Sequence, residues 1–286
     1  MWKTSAVTRK NADLRARIGR ALINAVFPEI CHGCGRFMPE RTKQKASRRD
    51  PTVQADKRDF VRRVLEPVLC PDCLADIPIV DSPICPCCGR PLKSRQDGDH
   101  ICGRCITEKR SFSKARSAMV YDGAVLALIH SYKYNSRTCL AKPLGRLLYE
   151  EFIRHFDPGE IDAVMAVPLH TRRMRQRGYN QALLMIRHWP KMAAELGHLQ
   201  NWEIICHDRA LCRKAHTRPQ TGLDRKARKK NIQGAFDVSE PGFCRGRRLL
   251  LVDDVMTTGA TIDECAKALY RAGAAGVSVI TLARAL

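Results

Sequence analysis

One stretch near the C-terminus constrains the fold more than any other part of the 286-residue chain. It reads LLLVDDVMTTGAT over residues 249–261. The apolar run 249–252 predicts a buried strand, and Asp253 and Asp254 follow at its carboxyl end. Open α/β sheets bind their ligands at the carboxyl ends of their strands. The stretch therefore predicts a ligand site at one edge of an α/β sheet.

The residues after the two carboxylates have the composition of a phosphate cradle. A helix is predicted over 261–272, and Thr261 and Glu264 have the spacing of a capping box at its start. The N–H groups and positive dipole end of such a helix bind phosphate, and Gly259 lets the backbone approach the anion closely. The candidate phosphate-binding residues are Thr257, Thr258, Gly259, Ala260 and Thr261.

Asp253 and Asp254 would repel a phosphate unless they bound something else. Ribose hydroxyls and Mg²⁺ suit them, since Mg²⁺ prefers carboxylates together with substrate oxygens. An acidic turn followed by an N-cap is the alternative for either feature alone. The ordered combination favours a ribose 5-phosphate site.

From residue 115 onward, predicted strands and predicted helices alternate along the sequence. Predicted strands cover 116–121, 161–167, 249–252 and 277–282, and predicted helices cover 124–132, 180–196 (kinked at Pro190) and 261–272. Strands alternating with helices indicate a mostly parallel sheet with helices on both faces. We expect this domain to span 111–286.

Four Cys-x-x-Cys pairs define a separate N-terminal module over 28–110. The sequential partition gives two zinc ions, one held by Cys31, Cys34, Cys70 and Cys73 and the other by Cys85, Cys88, Cys102 and Cys105. An interleaved pairing of the four Cys-x-x-Cys units is the second choice, and Cys87 could replace one of the ligands. An iron–sulfur cluster or redox-active thiols remain alternatives to zinc. The polar segment 39–63 inside this module is predicted to be a mobile loop.

The net charge of +21 is unevenly distributed. Residues 168–234 hold 15 Lys/Arg against 4 Asp/Glu, which favours an anion site over an ordinary solvated face. Residues 1–27 read as an amphipathic helix that packs on the cysteine module, with membrane-surface contact as a minor alternative. Neither a membrane-spanning run nor a signal peptide is evident in the sequence, so we expect a cytoplasmic protein.

Residues 252–261 resemble the phosphoribosyl-pyrophosphate signature of type I phosphoribosyltransferases. The resemblance implies that Asp253 and Asp254 hold the ribose hydroxyls as the catalytic carboxylates, while the following loop wraps the 5-phosphate. It also implies a pyrophosphate loop, for which the candidates are Arg175, Arg177, Gly178 and Asn180. Asn180 could instead serve only as a helix cap. A flexible loop over the substrate would contribute Lys214 and Arg218.

The run Arg-Gly-Tyr-Asn-Gln at 177–181, combined with the cysteine pairs, resembles the competence protein F (ComF) family. Lys-Tyr at 133–134 and Gly-Ala-Phe at 234–236 resemble it as well. The resemblance implies a double zinc ribbon before a phosphoribosyltransferase domain, and a role in DNA uptake during natural transformation. Two hypotheses follow: an enzyme using phosphoribosyl pyrophosphate and Mg²⁺, or a non-catalytic accessory that handles single-stranded DNA beside other DNA-uptake proteins. The sequence indicates no acceptor base and no oligomeric state.

Overall fold

The computed structural model describes residues 29–38, 56–93, 98–135, 137–198, 206–207, 209–214 and 225–286. The predicted helix at 1–27, the first part of the predicted loop at 39–55, and Arg218 lie outside these residues.

Among its described residues, the cysteine module contains three helices: α1 (Lys57–Leu65), α2 (Pro71–Ala75) and α3 (Gly103–Thr107). Helix α1 corrects the prediction of a loop as far as residue 63. Val61 and Leu65 are buried on one side of it, and Lys57 Nζ lies 3.0 Å from Glu151 Oε2. Five of the nine residues of this helix are charged, so its few apolar positions do not form a helical pattern that is recognisable in the sequence.

The second domain contains seven strands and eight α-helices among the described residues. Strands are β1 (Lys114–Val120), β2 (Ala163–Ala166), β3 (Cys206–His207), β4 (Leu211–Arg213), β5 (Phe236–Val238), β6 (Arg248–Met256) and β7 (Gly276–Arg284). Helices are α4 (Gly123–Tyr134), α5 (Ala141–His155), α6 (Thr171–Arg177), α7 (Gln181–Ile186), α8 (Trp189–Glu195), α9 (Arg225–Ile232), α10 (Pro241–Cys244) and α11 (Ala260–Arg271), of which α10 is a single turn.

Five of the strands form one parallel sheet in the order β1-β7-β6-β2-β3, and β4 pairs with β5 in a separate antiparallel hairpin. Successive side chains of a strand point to opposite faces. In β6, Leu250 and Val252 accordingly enter the core that contains Leu128 and Leu148, while Leu249 and Leu251 enter a second core. Two cores on one sheet confirm the predicted α/β class with helices on both faces.

Two predicted elements differ from the structure. The helix expected over 180–196 is divided into α7 and α8, because Pro190 stands in the first turn of α8, where its missing N–H costs nothing. The basic segment after β2 forms α6 rather than a loop. That helix starts where His170 Nδ1 accepts a hydrogen bond from the Arg172 N–H, and it ends at Gly178, whose φ is +81°.

Candidate active site and metal centres

The two adjacent carboxylates lie at the carboxyl end of β6, the central strand of the sheet. The Asp254 side chain is 4% exposed, and Lys133 Nζ lies 2.7 Å from its Oδ1. The Oδ2 atom of Asp254 is buried and makes no hydrogen bond within the described part of the chain. Asp253 is half-buried, and its Oδ1 accepts a hydrogen bond of 2.9 Å from the Asp254 N–H. Each carboxyl group therefore retains acceptor capacity.

Asp254 shifts the pKa values of its two charged neighbours, Asp253 and Lys133. Loss of water and the neighbouring Asp254 raise the pKa of Asp253 to about 7. Burial alone would lower the pKa of Lys133, but Asp254 outweighs burial and raises that pKa above its ordinary value. Lys133 is thus a charged partner of Asp254 over the whole neutral range.

Lys133 was noted in the sequence only as part of a family resemblance, and its place in the site was not predicted. It stands in the last turn of α4, which is separated by more than 110 residues from the carboxylates. No local sequence pattern indicates that Lys133 lies near the carboxylates. Its position at the end of a short helix after the first strand was the one feature that could have suggested it.

The loop between β6 and α11 differs in one detail from the sequence prediction. Helix α11 begins at Ala260 with Gly259 at its N-cap, where φ is +84°, a conformation that favours glycine. Thr261 therefore lies inside the first turn, and the predicted capping box is wrong. Glu264 accepts instead from the Gly234 N–H at 3.0 Å and from Lys267 Nζ at 2.6 Å.

The predicted phosphate-binding residues still converge at this helix start. The Ala260 N–H donates to Thr258 Oγ1 at 3.3 Å, and the first helical bond runs from the Asp263 N–H to the Gly259 carbonyl at 2.8 Å. A helix leaves its first N–H groups without intrahelical partners, and its dipole adds positive potential there. The loop has the geometry that anion sites use.

The segment predicted to hold pyrophosphate contains residues of different kinds. Arg175 is exposed on α6, whereas the Arg177 guanidinium lies 5.2 Å from the centre of the Tyr134 ring and donates to Gln181 Oε1 at 2.5 Å. Asn180 caps α7 by accepting from the Ala182 N–H at 3.0 Å. Its amide also donates to the Val167 carbonyl at 3.1 Å. Asn180 thus has the capping role that the sequence left open as an alternative.

The β4–β5 hairpin contributes one cation, Arg213, near the carboxylates. Lys214 pairs across the hairpin with Asp237, and both side chains are largely exposed. Arg213 was not predicted, yet its guanidinium is close enough to Asp253 that the two affect each other's pKa. Burial is the main influence on Arg213 and lowers its pKa, and Arg173 of α6 lowers it further. Arg213 therefore adds positive charge near Asp253, and Arg173 of α6 acts on Arg213 in turn.

The cysteines form two groups of four, and each group is the sequential one. Cys31, Cys34, Cys70 and Cys73 offer ligand atoms within 4.8 Å of one another, as do Cys85, Cys88, Cys102 and Cys105. The sulfurs of Cys34 and Cys70 are 3.7 Å apart, and those of Cys88 and Cys102 are 3.8 Å apart. A tetrahedron with Zn–S bonds of about 2.3 Å has edges close to this length. The clusters fit two structural zinc sites, and Cys87 belongs to neither group.

The first cysteine cluster packs against the helix that carries Lys133. His32 Nδ1 lies 3.0 Å from Ser131 Oγ, two residues before that lysine. A Cβ at Gly33 would lie 3.2 Å from Ala124 Cβ and 2.9 Å from Cys73 Sγ, so the turn between Cys31 and Cys34 needs a glycine at this position. His32 is half-buried at this contact.

Within the described residues, no helix combines the length and the apolar character needed to cross a membrane.

Comparison with known proteins agrees with this architecture. A family model described as a double zinc ribbon domain matches residues 63–106. The DNA utilization protein YhgH of Escherichia coli K12 is 33% identical over 210 residues, which cover 72% of this chain and 86% of that protein. Competence protein F of Haemophilus influenzae is 31% identical over 232 residues, which cover 76% of this chain and 96% of that protein.

A solved structure of the Bacillus subtilis glutamine phosphoribosylpyrophosphate amidotransferase, complexed with ADP and GMP, also aligns with this chain. Its identity is 21% and its TM-score 0.32, over 53% of this chain and 30% of that chain. Identity above 30% over nearly the full length of competence protein F is the stronger finding. With the double zinc ribbon and the parallel sheet behind it, this chain belongs to the competence protein F (ComF) family.

Proposed function

We propose that the second domain binds phosphoribosyl pyrophosphate together with Mg²⁺ at the carboxyl edge of the sheet. The observation that carries the proposal is the Lys133–Asp254 pair of 2.7 Å beside the loop 257–261. Lys133 offsets the charge of one carboxylate, so an anionic ligand approaches a site that is not uniformly negative.

The donor set suits Mg²⁺. Asp254 Oδ2 is buried without a hydrogen bond among the described residues, and half-buried Asp253 offers a second carboxylate next to it. Mg²⁺ binds through one or two carboxylates plus substrate oxygens. Asp253 and Asp254 would hold the ion together with the ribose hydroxyls. When bound, the ion supplies positive charge that stabilises oxygens of the departing group.

The 5-phosphate would lie at the start of α11. Thr257, Thr258 and Thr261 offer hydroxyls, and the first N–H groups of the helix are oriented for an anion. The left-handed Gly259 lets this backbone turn toward the ligand. The loop thus binds the end of the sugar opposite the reacting carbon.

Transfer of the phosphoribosyl group would need stabilisation of the departing pyrophosphate. The proposed pyrophosphate loop contains Arg175, Arg177, Gly178 and Asn180, and Lys214 and Arg218 would belong to the closing loop. Fixed cations at the site of developing negative charge lower the barrier most in a site that excludes water. The chain would therefore act as a pentosyl transferase through electrostatics rather than through a general base.

A second candidate is a non-catalytic accessory that handles single-stranded DNA in the cytoplasm. Exposed arginines on α6, namely Arg172 and Arg175, favour contact with a phosphate backbone. The name of the Escherichia coli relative, a DNA utilization protein, is consistent with it. Release of pyrophosphate in the presence of a nucleobase would distinguish the enzyme, because an accessory protein binds the ligand without turnover.

Calorimetry of the purified protein with phosphoribosyl pyrophosphate, with and without Mg²⁺, tests the proposal. We expect binding that requires Mg²⁺, followed by pyrophosphate release with an acceptor base. Absence of binding in both conditions would contradict the proposed function.

A further inference from the structure

Arg110 connects the cysteine module to the proposed phosphate loop. Its side chain is 4% exposed, and its Nη1 donates to Asp263 Oδ2 at 2.8 Å and to the Thr258 carbonyl at 3.3 Å. The Ser111 N–H donates to the other carboxylate oxygen of Asp263 at 3.0 Å. Both oxygens of an aspartate in the first turn of α11 are therefore bonded by residues just after the last ribbon cysteine.

The opposite side of the Arg110 guanidinium faces the second cysteine cluster. Its Nε and Nη2 are buried and make no hydrogen bond to another atom of the described residues. The Cys105 sulfur, one of the four thiolates of that cluster, is the neighbour of the guanidinium on this side. The guanidinium thus lies between Asp263 and Cys105.

A second arginine also lies against this cluster. Arg284 is fully buried at the end of β7, and its Nη2 lies 3.7 Å from Cys88 Sγ. Zn²⁺ with four thiolates carries a net charge of about −2. A buried charge is strongly destabilising without a partner, so the loaded cluster and the two arginines stabilise one another.

The loop also packs directly on Arg110. A Cβ at Gly259 would lie 3.4 Å from Arg110 Nη1 and 2.9 Å from Met256 Cε. Arg284 is paired in register with Met256, the residue before the loop. Two arginines therefore connect the second cluster to the loop, Arg284 through its pairing with Met256 and Arg110 by direct contact.

We propose that Arg110 is a positioning residue that holds the loop 257–261 in its anion-binding conformation, with the zinc-loaded second cluster as its counter-ion. The identity of the anion rests on the proposed function above. The ordering of the loop is independent of any ligand and is testable without one.

Hydrogen–deuterium exchange of the ligand-free protein measures this ordering directly. In Arg110→Gln, amides over 257–264 should exchange about tenfold or more faster than in the wild type. Lys109→Gln removes an exposed charge from the neighbouring position, and its exchange should match the wild type. Unchanged exchange over 257–264 in Arg110→Gln would overturn the proposal.

Two further variants separate charge from volume. Arg110→Lys keeps the charge but not the planar fork of donors, so it should recover part of the protection. Arg110→Met keeps the volume alone and should behave like Arg110→Gln. Full recovery by methionine would show that Arg110 only fills space, which overturns the proposal.

The counter-ion requirement has its own matched pair. Cys88→Ser with Cys105→Ser should release one zinc and accelerate exchange over 257–264, whereas Cys31→Ser with Cys34→Ser should release one zinc and leave that exchange unchanged. Equal acceleration of exchange in both double variants would overturn the assignment to the second cluster.

If Arg110→Gln itself loses zinc, the variant Asp263→Asn tests the positioning role instead. Faster exchange over 257–264 with both zinc ions retained supports the proposal, and unchanged exchange overturns it.

Calorimetry with phosphoribosyl pyrophosphate keeps this proposal distinct from the proposed function. If the wild type and Lys109→Gln bind but Arg110→Gln binds at least about tenfold more weakly, both stand. If all three bind equally, the positioning role fails while the proposed function survives. If the wild type does not bind, the proposed function fails and the exchange experiment still decides the role of Arg110.

Discussion

The Lys133 ammonium lies 2.7 Å from Asp254 Oδ1, and these side chains are 16% and 4% exposed. The end of α4 and the central strand β6 thus contribute opposite charges to one largely buried ion pair. The pair offsets the negative charge that Asp254 would otherwise present to a phosphate ligand.

Removing one partner of this pair should destabilise the fold. Lys133→Met leaves Asp254 buried without a cation, and we expect the free energy of unfolding to fall by about 3 kcal/mol. Urea denaturation at pH 7.5 measures it. Lys191→Met, at an exposed lysine of α8, should change stability by less than about 0.5 kcal/mol. The double variant Lys133→Met/Asp254→Asn should recover much of the loss, and a purely additive double variant would argue against the coupling.

The two residues of this pair differ in whether their place in the site could be predicted from the sequence. Asp253, Asp254 and the loop after them are contiguous, so one strand–loop–helix pattern predicts them together. Lys133 and Arg110 reach the same site through tertiary packing across more than 110 residues, and no periodicity marks such contacts.

The cysteine groups were predictable for a similar reason, since short Cys-x-x-Cys turns make each half-site locally. The helix α1 was not, because its apolar side is only two buried residues wide among charged ones. The start of α11 was displaced by one residue because Gly259, with its left-handed backbone, caps the helix without a side chain.

Two zinc ions per chain are expected from elemental analysis of protein purified without added metal. Replacing Cys31 and Cys34 with serine should remove one of them, because two thiolates cannot complete a tetrahedral structural site. Cys87→Ser is the matched control and should retain both, since Cys87 lies outside the two groups of four. Iron in place of zinc, or loss of metal from the Cys87 variant, would contradict the assignment.

Binding of the magnesium-dependent ligand should weaken in mild acid. Burial and Asp254 raise the pKa of Asp253 to about 7, so below that pH a proton competes with the metal for this carboxylate. Affinity should fall by up to about tenfold for each pH unit below 7 and level off above it. The same raised pKa makes the ligand-free fold lose stability as pH rises toward 7. Calorimetry from pH 5.5 to 8.5 measures the first trend, and a pH-independent affinity would contradict it.

Single-stranded DNA should bind with weak sequence preference and steep salt dependence. Aromatic residues make up only 6% of the chain, so counterion release rather than base stacking should drive binding. Arg172→Gln with Arg175→Gln, both exposed on α6, should reduce the salt slope by about 1.4, the value for two phosphate contacts on a single strand. Fluorescence anisotropy across a salt series measures it, with Arg58→Gln as an exposed control on α1. A salt-insensitive complex, or none at low salt, would remove DNA from the partners.

The central claim, a phosphoribosyl pyrophosphate and Mg²⁺ site on the two carboxylates, is tested most directly by one calorimetric comparison. The variant Asp253→Asn/Asp254→Asn is titrated beside the wild type and beside Asp59→Asn/Asp76→Asn, which removes the same charge from exposed positions. We expect Mg²⁺-dependent binding in the wild type and the control, and loss of that binding in the Asp253/Asp254 variant, with all three folded by circular dichroism. Affinity that is unchanged in the Asp253/Asp254 variant would contradict the claim.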